Sequence, residues 1–118
     1  MNELEQIVFT SPWARGLSAD ERLAVAAEMS CRTLPPGGFL CQKGTPVEHW
    51  IGVVDGLAKM ASVSSEGRTA SFTGIPPRAW FGEGSVMRGG HWRYDAIALR
   101  ETRVVLVPAA TFCRLLDS

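Results

Sequence analysis

Cysteine and histidine are scarce in this chain, and their scarcity excludes several kinds of site. The 118 residues contain three cysteines (Cys31, Cys41 and Cys113) and two histidines (His49 and His91). No Cys-x-x-Cys pair occurs, so neither a disulfide framework nor a four-thiolate zinc or iron–sulfur site can be assembled. Free thiols suit a reducing compartment, which predicts a cytoplasmic location.

An excess of either charge and a long apolar run are also missing. Twelve Lys and Arg residues balance 12 Asp and Glu residues, so no overall field attracts nucleic acid or an anionic membrane surface. No run approaches the roughly 18 apolar residues of a membrane span. Glu3 and Glu5 stand where a secretory signal would carry positive charge. We therefore expect no membrane partner and no DNA binding by these residues themselves.

What is present fits one domain with a helical start. The length and the 46% of hydrophobic residues are those of a single globular core. Ser18 and Glu21 form a Ser-x-x-Glu capping box, which predicts a helix that ends at about residue 30. Its narrow apolar stripe is expected at Leu23, Ala26 and Ala27. Residues 1–30 are thus an N-terminal helical segment.

Short strands are predicted from Cys31 to Val107, where Pro and Gly breakers recur at short, regular intervals. The apolar or alternating runs between the breakers are 50–54, 57–63, 69–73, 96–99 and 104–107. They indicate an antiparallel sandwich or roll with short flanking helices. Asp55-Gly56 predicts a type I′ hairpin between the first two runs. Pro108 favours the start of a C-terminal helix over residues 108–118.

Most of the candidate ligand-binding residues lie in a glycine-rich segment, residues 80–96. Gly82, Glu83, Gly84 and Ser85 form a turn that opens a short helix, whose unpaired N–H groups could hold an anion. Arg93 follows and could fork onto a phosphate. A carboxylate, backbone amides and a guanidinium together suit a sugar phosphate. A Walker-type Gly-Lys-Ser/Thr sequence is absent, which argues against a nucleotide triphosphatase.

The order of these features resembles the cyclic nucleotide-binding domain of the Crp/Fnr superfamily of bacterial transcription regulators. The resemblance covers nearly the whole chain. The matching motifs are the N-terminal helix, Leu34-Pro35-Pro36-Gly37-Gly38, Gln42-Lys43-Gly44, Val53-Val54-Asp55-Gly56-Leu57-Ala58-Lys59, Trp80-Phe81-Gly82-Glu83, Ala96-Ile97-Ala98-Leu99 and Val105-Leu106-Val107-Pro108. It implies a mainly β fold, an antiparallel double-stranded β-helix or jelly roll over residues 31–107.

The resemblance also implies a ligand site, residues 82–95, called the cassette below. Glu83 would accept a hydrogen bond from a ribose 2′-hydroxyl, and Arg93 would grip a cyclic phosphate. Cyclic AMP or cyclic GMP is the expected ligand, and no permanent cofactor is expected. Phe72 is a candidate pocket wall.

Two residues depart from the family pattern, which has Ser or Thr and then Ala after the arginine. Here Tyr94 brings a far larger ring and Asp95 a negative charge. Like charges about 4 Å apart repel by roughly 4 kcal/mol at an effective dielectric constant of 20. If Asp95 pairs with Arg93, the arginine is structural and the site is a relic. Two hypotheses stay open: a sensor of a small phosphate ligand, and a nucleotide-independent β-roll for dimerisation or partner docking.

Partners follow from the resemblance as well. In that family the helix after Pro108 continues into a dimerisation helix and a winged helix-turn-helix, neither of which is in these 118 residues. We expect a longer protein, a homodimer that binds DNA through a downstream domain. Enzyme activity is not expected, because a metal-dependent roll enzyme needs a His-x-His pair with a further Glu and His. The histidines and cysteines leave a haem-sensing variant open.

Overall fold

The structure, a computed structural model, describes residues 1–63 and 70–116, without the side chains of residues 62, 63 and 70–72. The strands of this part are β1 (Ser30–Leu34), β2 (Phe39–Cys41), β3 (His49–Asp55), β4 (Ala58–Val63), β5 (Ala70–Ile75), β6 (Trp80–Phe81), β7 (Asp95–Ala98) and β8 (Thr102–Pro108). The helices are α1 (Glu3–Thr10), α2 (Ala19–Glu28), α3 (Glu83–Arg88) and α4 (Ala109–Leu116), with a 3-10 turn at Pro12–Ala14.

The strands form two antiparallel sheets that face each other. Their orders are β1-β8-β3-β6 and β2-β7-β4-β5. Strands that are neighbours in the chain often lie in different sheets, as in a jelly roll. The predicted fold class, a mainly β jelly roll with short flanking helices, is confirmed.

The apolar run of β8 is explained by burial on both of its faces. Val104 and Leu106 point into the core between the two sheets, where Phe81 and Trp92 also pack. Val105 and Val107 point to the opposite side, into a second core under the helices. A strand that is covered on both faces needs apolar residues at every position. No helix among the described residues has both the length and the apolar character that a membrane crossing requires.

The N-terminal segment contains one helix that the sequence analysis predicted and one that it missed. The capping box is present: Glu21 N–H donates to Ser18 Oγ at 3.1 Å, and Ser18 N–H donates to the Glu21 carboxylate at 2.9 Å. The predicted apolar stripe was partly wrong. Leu23 is 41% exposed and Ala27 is exposed, whereas Val25 and Ala26 are buried in the second core.

The predicted hairpin at Asp55-Gly56 was wrong, because β3 and β4 belong to different sheets. Gly56 does adopt the positive φ that the pair suggested, +108°. It turns the chain from one sheet to the other, however, and a Cβ there would lie 2.6 Å from the Glu101 carbonyl oxygen. The buried Thr102 hydroxyl fixes this corner, since it accepts from Leu57 N–H at 3.2 Å and donates to the Arg100 carbonyl at 2.8 Å.

Candidate functional site

The glycine turn at the start of the cassette is fixed by backbone conformation and by packing. Gly82 follows β6 and caps α3 with a φ of +96°, in the left-handed region that favours glycine. A Cβ at this position would lie 2.7 Å from Cη2 of the buried Trp92 indole. The predicted glycine turn and the short helix after it are both present. Any side chain at residue 82 would displace Trp92 or the turn.

The first turn of α3 presents side chains to two environments. Glu83 and Gly84 are exposed, so the Glu83 carboxylate reaches solvent. Ser85 is only 4% exposed and faces the interior of the roll. The cassette thus has an outer carboxylate and an inner hydroxyl on adjacent faces of one short helix.

Tyr94 occupies the space beside this turn. Its ring is half-buried, with its centroid 5.6 Å from that of Trp92 and 6.5 Å from that of Phe81. Burial raises the pKa of Tyr94 to about 12, and the nearby Ser85 side chain opposes that rise. Glu83 is also close enough to raise this pKa. The phenol is therefore neutral at physiological pH, and it lies next to Ser85 and Glu83.

Asp95 does not neutralise Arg93. Its carboxylate accepts a hydrogen bond from the Lys43 backbone N–H at 2.7 Å, and so it ties β7 to the loop after β2. Arg93 is exposed, and among the described residues it makes neither an ion pair nor a side-chain hydrogen bond. The sequence left open whether Asp95 pairs with Arg93. It does not, because the Asp95 carboxylate accepts from a backbone amide, and the Arg93 guanidinium stays available.

The structure brings some of the predicted site residues together and leaves others apart. Glu83, Ser85 and Tyr94 are neighbours, and Gly82 lies at the base of the same turn. Asp95 is directed to Lys43, and the Phe72 side chain lies outside the described residues. Sequence reasoning missed the Lys43 amide, because a backbone N–H leaves no signal in a sequence.

The part of the chain that the structure describes contains no assembled site for metal or thiol chemistry. No group of three or more His, Cys, Asp or Glu residues there could hold a metal ion. All three cysteines are free. Burial raises the pKa of the Cys41 thiol to about 12, so this thiol is neutral.

A protein family matches most of the chain. The sequence profile described as "Cyclic nucleotide-binding domain" matches residues 31–118. No curated protein matches the sequence.

Solved structures with the same fold include the sensor domain of the transcriptional regulator DNR from Pseudomonas aeruginosa. Its TM-score is 0.84 at 16% sequence identity, and the alignment covers 97% of this chain and 77% of that one. The regulatory domain of Toxoplasma gondii PKA with cAMP has a TM-score of 0.86, 19% identity, and coverage of 98% and 44%. The regulatory subunit of a cAMP-independent protein kinase A from Trypanosoma cruzi, bound to guanosine, has a TM-score of 0.83, 18% identity, and coverage of 95% and 40%. This chain spans less than half the length of each of these two kinase chains.

Proposed function

Since the chain belongs to the cyclic nucleotide-binding domain family, we propose that it is the effector-sensing domain of a Crp/Fnr-type bacterial transcription regulator. In this proposal it binds a cyclic nucleotide or a related phosphate ligand through the Gly82–Glu83 turn and Arg93. It acts in the cytoplasm without catalysis. It forms a homodimer in the full-length protein and reaches DNA through a further domain.

The observation that carries the proposal is the state of Arg93. An exposed guanidinium without a partner in the described part of the chain retains all its donors for a ligand. Asp95 accepts a hydrogen bond from the Lys43 amide and forms no ion pair with Arg93. Glu83 projects from the same cassette, where it can accept from a sugar hydroxyl. These features support recognition of a ligand that carries both an anion and a sugar.

The short helix of the cassette packs against the C-terminal helix. α3 contacts α4 directly, and Val86 of α3 shares the second core with Phe112 of α4. A phosphate that orders α3 would therefore change the surface on which α4 packs. The response is a shift in population between two arrangements of α4, driven by ligand contacts that only one of them makes.

Calorimetric titration with cyclic AMP, cyclic GMP and guanosine tests the proposal. Hydrogen bonds to charged groups contribute about 1.5–3 kcal/mol, so Arg93→Ala should weaken binding by roughly 10- to 100-fold. Arg15→Ala removes an exposed arginine outside the cassette and serves as the matched control. Guanosine carries no phosphate, so its binding should not depend on Arg93. The absence of heat with both cyclic nucleotides, or equal affinity of Arg93→Ala and the parent for them, would contradict cassette binding.

The position of the Tyr94 ring favours a second candidate function, the nucleotide-independent β-roll. The ring takes up space beside Ser85 where a phosphate would lie. On this hypothesis the parent binds no nucleotide, and Tyr94→Ser gains affinity because the space opens. If the parent already binds and Tyr94→Ser binds no better, the tyrosine is a tolerated part of a working site.

A further inference from the structure

A cavity of about 260 Å³ opens beside the loop between β2 and β3. β1, β2, β3 and β8 contribute to it, together with the loop between β2 and β3. Trp92 is the cassette residue that lines it, and none of the predicted ligand-binding residues whose side chains the structure describes does so. Ligand sites for drug-sized molecules occupy roughly 300–1,000 Å³, so this cavity suits a smaller molecule.

The inner wall of the cavity is apolar. Leu40, Ile51, Leu106 and Trp92 line it, and each is at most 9% exposed. Cys41 completes this wall as a neutral thiol, because burial raises its pKa to about 12. A hydrocarbon group that covers this wall would remove its apolar surface from water, which is favourable.

The rim, in contrast, carries one charge of each sign. Arg32 and Glu48 both line the opening and are both exposed. They do not pair with each other, and neither side chain has a hydrogen-bond partner among the described residues. His49 also lines the cavity and is half-buried, and its ring has no such partner among the described residues either. The rim thus offers a guanidinium for an anion and a carboxylate for a cation, beside an apolar interior.

We propose that this cavity binds a small molecule with an apolar body and a zwitterionic head, the chemistry of a free hydrophobic amino acid. Its carboxylate would bind Arg32, its ammonium group Glu48, and its side chain the apolar wall. A simple carboxylate would meet the Glu48 charge, and a simple amine would meet the Arg32 charge. The zwitterion satisfies both.

An occupant of the cavity would also touch the cassette through one residue. Trp92 lines the cavity, and its six-membered ring packs against Gly82. Binding in the cavity is therefore expected to alter hydrogen exchange at the amides of α3 through Trp92, although α3 itself does not line the cavity.

L-leucine, 4-methylpentanoate and 3-methylbutylamine are the probes, because the last two are leucine without its amine and without its carboxylate. Binding is measured by calorimetry and by two-dimensional NMR titration. We expect L-leucine to bind at least tenfold more tightly than either analogue. No saturable binding of L-leucine, or equal binding of all three compounds, would overturn the proposal.

Variants of the rim then locate the site. Arg32→Gln and Glu48→Gln should each weaken L-leucine binding at least tenfold, whereas the matched exposed controls Arg15→Gln and Glu101→Gln should leave it unchanged. Leucine binding that survives both rim variants would place it elsewhere and refute the assignment. Because the analogue comparison uses the parent chain alone, it decides the question even if a rim variant loses its fold.

Discussion

Replacing Gly82 by alanine is expected to be far more damaging than the same change two residues later. At Gly82 the alanine must adopt a φ of +96°, which costs roughly 1–2 kcal/mol for a residue with a Cβ. Its Cβ would also lie 2.7 Å from Trp92 Cη2. Forcing extra atoms into a packed core costs typically 1–3 kcal/mol, so the expected loss of unfolding free energy is about 2–5 kcal/mol.

Gly84 supplies the matched control, because it lies in α3 with open space around it. The nearest atom that a Cβ would meet there is Arg88 Nη1, at 4.0 Å. An alanine in a helix is favoured over glycine by roughly 0.5–1 kcal/mol. Gly84→Ala should therefore be neutral or slightly stabilising, the opposite sign to Gly82→Ala.

Urea denaturation followed by tryptophan fluorescence measures both changes. With a slope of about 2 kcal/mol per molar urea, Gly82→Ala should lower the transition midpoint by about 1–2.5 M, and Gly84→Ala should not lower it. Equal midpoints for the two variants would refute the reasoning, since they would show that neither the left-handed turn nor the Trp92 contact constrains residue 82.

Three further predictions concern stability. Gly56→Ala should cost at least about 2 kcal/mol by thermal denaturation, because φ is +108° and its Cβ would lie 2.6 Å from a carbonyl oxygen; an unchanged Tm would contradict this. Thr102→Val should cost about 1–3 kcal/mol in urea, since it leaves buried corner groups unpaired, whereas Thr33→Val, exposed on β1, should cost little. The Arg114 hydrogen bond lowers the pKa of Glu28 below its usual 4.5. Glu28→Gln should therefore be less stable than the parent at neutral pH, and this difference in stability should vanish as the pH falls below 4.5 through the lowered pKa. A difference in urea midpoint that does not depend on pH would exclude the pair.

The wrong hairpin shows which part of a turn is encoded locally. Asp55-Gly56 correctly indicated a positive φ, because that requirement belongs to one residue. Which strand pairs with which is decided by distant contacts: β3 pairs with β8, some 50 residues away, and the Thr102 hydroxyl fixes the corner from the same strand. The residues around the pair contain no record of those contacts.

In the two N-terminal helices, likewise, the start of each helix is encoded locally and the buried face is not. Both N-terminal helices begin with a capping box, and the one at Asn2 and Glu5 had the same Asx/Ser-x-x-Glu signal as the one at Ser18 and Glu21. α1 could therefore have been predicted from the chain alone. The buried face of α2 could not, because it depends on where α1 and the first sheet lie.

For the site, the sequence raised the question whether Asp95 pairs with Arg93, but it could not decide whether the two residues do pair. An aspartate two positions from Arg93 lies on the same side of an extended chain, so pairing between them was a reasonable expectation. The outcome depends on Lys43, 52 positions from Asp95 in the chain, whose amide comes within 2.7 Å of the carboxylate when β2 pairs with β7. Asp95 therefore accepts from a backbone amide and does not pair with Arg93. The availability of the guanidinium is thus a property of the roll's topology, which no local motif encodes.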